Sequence, residues 1–171
     1  MALKNEDEII NRVANSSLIT LSLEDYYTVG KRLELDIAPW LYEGLILREK
    51  DFRESVKNHN WSTYQNAFVN IICTADAVIP QWAYLLLGAA LQSIAQKVIF
   101  GSKHEMENLL MEESLAKVDF SVYQDKRVIL KGCSDLPIPA NAYLRAATLL
   151  RPHVKSLMFG EACSTVPVYK K

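Results

Sequence analysis

Residues 60–101 match residues 119–160 without a gap, and 13 of the 42 positions are identical. Unrelated sequence of this composition gives roughly 2 to 4 identities over that length. The identical pairs include Tyr64/Tyr123, Gln65/Gln124, Asp76/Asp135, Ile79/Ile138, Pro80/Pro139, Tyr84/Tyr143, Phe100/Phe159 and Gly101/Gly160. A fixed offset of 59 residues reads as one supersecondary unit written twice, so any fold must accommodate two similar units.

Each copy has the same internal order. A charge-rich amphipathic helix comes first, over 47–58 and 105–117. A Trp/Phe-Ser-x-Tyr-Gln turn follows, then a short β-rich run, "AFVNIIC" or "KRVILKG". Next is a loop with Asp and Pro. Proline suits the first helical position, where its missing N–H is not needed, so Pro80 and Pro139 are expected to open helices near 80–95 and 139–151. The strands "KVIFG" and "SLMFG" close the copies at a glycine. Strands alternating with helices predict an α/β fold: one mixed, partly parallel sheet flanked by helices, its two repeats related by an approximate two-fold. The first 45 residues add a helix over 7–14 and two strands, 18–23 and 31–37, expected to pair as an edge hairpin. A single domain spans 1–171: an N-terminal segment (1–46), repeats at 47–101 and 105–160, and a tail (161–171).

The net charge of −1, with no run of Lys and Arg, argues against a nucleic-acid binder. Residues 77–96 lack charge, but Pro80 and several glutamines mark them as a core helix rather than a membrane span. "MALKNEDEII" is acidic and has no apolar stretch, so it is not expected to act as a secretory signal. Three cysteines, an odd number, point to reduced thiols and a cytoplasmic location.

The polar groups of interest fall after strands. Cys73 and Cys133 follow the first strands of the two copies, and Cys163 and His104 each lie three residues past a closing glycine. If the strands are parallel, these four groups share one carboxyl edge with Asp76 and Asp135, where ligands of α/β sheets usually bind. Thiolate and imidazole suit zinc or an iron–sulfur cluster, so Cys73, Cys133, Cys163 and His104 are candidate ligands. No C-x-x-C supports them, and free cysteines are commonly small buried residues. Asp76, Asp135, Ser134 and Thr165 are candidates for holding an anionic ligand; helix capping and turn formation are the more ordinary explanation of such residues. No dinucleotide, phosphate-loop, zincin or nucleophile-elbow motif is present. His59 and His153 end helices and carry no catalytic pattern.

The segments "NRVANSSLITLSLEDYY", "GLILREKDFRESVKNHNWSTYQ", "CTADAVIPQWAYLL", "KGCSDLPIPANAY" and "GEACSTVPVYKK" together resemble the DUF2480 family of Bacteroidetes-type bacteria. The resemblance implies a bacterial cytoplasmic protein without an assigned activity, and an association with iron–sulfur cluster assembly genes. It carries over no catalytic residue.

The expectation is therefore a non-catalytic accessory protein of metal or iron–sulfur metabolism, with partners in cluster assembly. The alternatives are an anion-binding protein or thiol-dependent enzyme using the same edge, and a homodimeric interaction module presenting Trp40, Tyr42 and Trp61.

Overall fold

The computed structural model describes residues 18–161 and 163–171. The helix expected over 7–14 lies outside them. The chain divides into two compact units, a central one (28–111) and a terminal one formed by residues up to 27 together with 112–171.

In the central unit the strands β2 (Arg32–Asp36), β3 (Phe68–Ile72) and β4 (Lys97–Phe100) form a parallel sheet in the order β2-β3-β4. Helix α1 (Glu49–Asn58) follows β2, and α2 (Gln81–Leu91) crosses from β3 to β4. Helix α3 (Lys103–Leu115) begins in this unit and ends beyond its boundary at residue 111. β3, "FVNII", is apolar apart from Asn70, and helices cover both of its faces. Val69 and Ile71 pack with Phe52 and Val56 of α1 and with Ala83, Leu87 and Leu91 of α2. Phe68 faces Met106 and Leu110 of α3. That alternation is the two-residue period of a strand buried on each side. Asn70, on the Phe68 face and only 3% exposed, donates to Glu34 Oε2 at 2.8 Å from its cross-strand neighbour. Arg32 is held in the same layer. It makes a two-pronged pair with Glu107, at 2.9 and 3.1 Å, and donates to the Gly30 and Thr28 carbonyls.

In the terminal unit β1 (Leu18–Leu21), β5 (Arg127–Lys131) and β6 (Ser156–Glu161) run parallel, and β7 (Ser164–Lys170) returns antiparallel on β6. Helix α4 (Ala140–Leu150) crosses from β5 to β6 and buries Ala142, Ala146 and Leu150. Val128, Ile129, Leu130 and Leu157 are buried on the strands.

The α/β class, the mixed and partly parallel sheet and the flanking helices are as expected, but the strands divide over two sheets instead of one. The expected hairpin of 18–23 with 31–37 does not form. β1 pairs β5 and β2 pairs β3, both in parallel. The physical reason is that β3 and β5 are apolar central strands, each needing a neighbour on both edges, and β1 and β2 supply one apiece. Elements starting at Phe120, Arg127, Ala140 and Ser156 lie 59 residues after those starting at Trp61, Phe68, Gln81 and Lys97. The left-handed residues Asn66 and Asp125 keep the same spacing. Pro80 and Pro139 occupy the N-cap position, one residue before the expected place. Among the described residues, no helix is long and apolar enough to cross a membrane; the uncharged stretch forms α2, whose Ala83, Leu87 and Leu91 are buried.

Candidate functional site

The loops after β3 and β5 are organised by two carboxylates that no motif singles out. In the terminal unit Ser22 caps a short 3-10 turn, Leu23–Tyr26, which carries Glu24 in its first turn. Glu24 Oε1 accepts the Asp135 N–H at 2.8 Å and the Ser134 hydroxyl at 3.0 Å, while Oε2 accepts Lys131 Nζ at 3.3 Å. The Asp135 N–H, and after it the Ser134 hydroxyl and Lys131, stabilise the ionised form. They hold the Glu24 carboxyl down to about 2 against the opposing effect of burial.

In the central unit Asp36, the last residue of β2, does the corresponding work. Its carboxylate accepts the Thr74 hydroxyl at 2.6 Å, the Thr74 N–H at 3.1 Å and the Ala38 N–H at 2.9 Å. Burial pushes Asp36 up, but these three donors together outweigh it and its pKa is lowered. Each loop that could cradle an anion thus receives an internal carboxylate.

The candidate residues predicted from sequence fall on two sheet edges, because the strands divide over two sheets. Cys73, Asp76 and His104 belong to the central unit. Cys73 is half-buried and its thiol donates to the Ala75 carbonyl at 3.6 Å, whereas Asp76 and His104 are exposed. Cys133, Ser134, Asp135, Cys163 and Thr165 belong to the terminal unit. Cys133 is exposed, with its N–H donating to Glu161 Oε1 at 3.3 Å, and Cys163 is exposed in the β6–β7 turn. Thr165 donates to Met158 Sδ at 3.8 Å. Neither Asp76 nor Asp135 caps a helix, since α2 and α4 have no side-chain cap hydrogen bond. Among the described residues, no group of three or more His, Cys, Asp and Glu is placed to hold a metal ion. The donor set expected for zinc or an iron–sulfur cluster is therefore not gathered within them.

Trp40 meets Phe52, His59 and Trp61 edge to face, Trp61 meets His59 likewise, and Tyr64 stacks on His59. His59 Nε2 is buried there without a hydrogen-bond partner, and burial lowers its pKa. Tyr42 lies under the Arg48 guanidinium at 3.0 Å. Trp40 and Trp61 pack against the core, whereas Tyr42 is exposed.

At the amino end of the terminal sheet the fold gathers charge that the sequence scatters. Lys126 precedes β5, Lys155 precedes β6 and Lys171 follows β7. The Lys155 N–H donates to the Lys126 carbonyl at 2.8 Å, and the Lys171 N–H to the Lys155 carbonyl at 3.0 Å. Three lysines therefore stand side by side across neighbouring strands. Arg127 and Lys170 are the neighbouring residues along β5 and β7, Arg151 ends α4, and all six are exposed. Asp125 pairs with Lys171 at 3.7 Å, and Asp119 is lowered chiefly by its hydrogen bonds with Ser121. A cavity of about 570 Å³ lined by Arg151, Thr148, Tyr169 and Lys171 opens here. A second of about 340 Å³ is lined by Arg127, Lys155, Tyr169 and Lys170. Tyr169 borders both, with Arg151 over its ring at 5.4 Å. Sequence reasoning missed this cluster because its members arrive from four separate positions. The available signal was a cation at the start of β5 and β6 and at the end of β7.

The chain matches the family model described as a protein of unknown function (DUF2480) over residues 7–171. No curated protein and no solved structure matches it. With the match covering essentially the whole chain, the protein belongs to the DUF2480 family.

Proposed function

We propose that this protein is a non-catalytic binding protein whose terminal unit takes an anionic ligand in the groove beside Tyr169. The observation that carries the reading is the row Lys126, Lys155 and Lys171, tied strand to strand by backbone hydrogen bonds. Like charges set opposite one another across strands are destabilising. Arg151 has a structural reason to be cationic, since it ends α4 where the helix dipole is negative. The three lysines have none of that kind, and among the described residues Asp125 makes an ion pair with Lys171 at this row. An anion resolves the repulsion. The adjoining cavity of about 570 Å³ is of the size that small-molecule sites have.

The groove lies at the opposite end of the strands from Cys133 and Cys163. A thiol-based metal role would require a third donor beside those two. The described residues gather no such group, so the groove is the better-supported site.

Thermal unfolding at low salt with a panel of multivalent anions tests the reading. A ligand of the native state at a hundred times its Kd adds about 2.7 kcal/mol. The expected result is a concentration-dependent rise in Tm that is lost in the double variant Lys155→Glu, Lys171→Glu. The reading fails if no anion of the panel raises Tm, or if the double variant responds as the parent does.

A further inference from the structure

We infer that the ligand of this groove carries a linear chain of two or more phosphate groups, an inference that rests on the anion-binding reading above. Two inter-strand steps of about 4.8 Å each carry the lysine row roughly 10 Å from Lys126 to Lys171. A single phosphate or carboxylate neutralises one or two members of such a row and leaves the rest repelling. A phosphate chain spreads its charge along a line, as the row does. Lysine is a point-charge phosphate binder, and the flanking Arg127 and Arg151 offer the planar fork that takes phosphate oxygens in pairs. Lys171 lines one of the cavities bordering Tyr169 and Lys155 the other, so a phosphate chain has room beside both of those lysines.

The test is calorimetric titration of the full chain at low salt with inorganic triphosphate, orthophosphate, citrate and a short single-stranded oligonucleotide. Triphosphate is expected to bind at least about ten-fold tighter than orthophosphate or citrate, the factor that one charge-assisted contact supplies. Lys155→Gln, at the middle of the row, is expected to weaken triphosphate about ten-fold, whereas Lys57→Gln, an exposed lysine of the central unit, leaves it unchanged. Melting curves of the two variants control for folding. Citrate or orthophosphate binding as tightly as triphosphate overturns the phosphate-chain inference and leaves the anion reading standing. Tighter binding of the oligonucleotide overturns it in favour of nucleic acid. Equal loss in both lysine variants reduces the effect to bulk charge and overturns it too. No binding by any of the four sinks the anion reading itself.

Discussion

The Glu24 carboxylate accepts the backbone N–H of Asp135 at 2.8 Å, across 111 residues of chain. The same carboxylate holds the Ser134 hydroxyl and Lys131, so one side chain after β1 fixes the loop after β5. Asp36 fixes the loop after β3 by the same chemistry.

This clasp predicts an acid-sensitive native state. The Glu24 carboxyl is lowered from 4.5 to about 2 on folding. Its contribution is therefore complete above the unfolded value and is lost as pH falls from 4.5 towards 2. Glu24→Gln is expected to lower Tm at neutral pH and to flatten its fall over that acid window. Chemical denaturation at several pH values reads both effects, and an unchanged acid dependence in the variant would remove Glu24 from the account.

Glu107 is predicted to be the most sensitive charged position of the central unit. Its side chain and that of Arg32 are 5% and 11% exposed, and the pair meets at 2.9 Å. Glu107→Ala leaves a guanidinium buried beside Phe68 without its carboxylate, a loss of about 3–5 kcal/mol. The midpoint of urea unfolding measures it. A loss under about 1 kcal/mol, as for an exposed pair, would contradict the packing described.

Most of the described elements were legible in the sequence, but residues 161–171, expected as a tail, form β7 (Ser164–Lys170), and the strand pairing was not legible. The apolar runs at 68–72 and 127–131, the prolines before α2 and α4, and the glycine after β4 are local signals that mark real boundaries, whereas Gly160 lies within β6, which runs one residue further to Glu161. Strand partners are chosen by burial of a whole sheet, which a window of ten residues does not encode. That is why 18–23 and 31–37 read as a hairpin while joining two different sheets. Other tertiary groupings were illegible for the same reason. Glu24 and Asp36 reach their loops through tertiary structure, and Lys126, Lys155 and Lys171 become neighbours only through the β5-β6-β7 ladder.

The paired glycines 101 and 160 separate two kinds of constraint. Both have positive φ, 141° and 124°. A Cβ on Gly101 meets the end of the Glu105 side chain, which can move, whereas one on Gly160 meets the Ser164 backbone carbonyl at the β6–β7 turn. Gly160→Ala is expected to cost about 1–3 kcal/mol and to exceed the cost of Gly101→Ala. Equal losses, compared by thermal denaturation, would show that backbone conformation alone sets them.

The most direct measurement is a two-dimensional amide NMR titration with inorganic triphosphate. The account predicts shifts confined to the amides around Lys126–Arg127, Arg151, Lys155 and Tyr169–Lys171. Shifts centred instead on Cys133–Asp135 and Cys163–Thr165, at the other end of the strands, would contradict it.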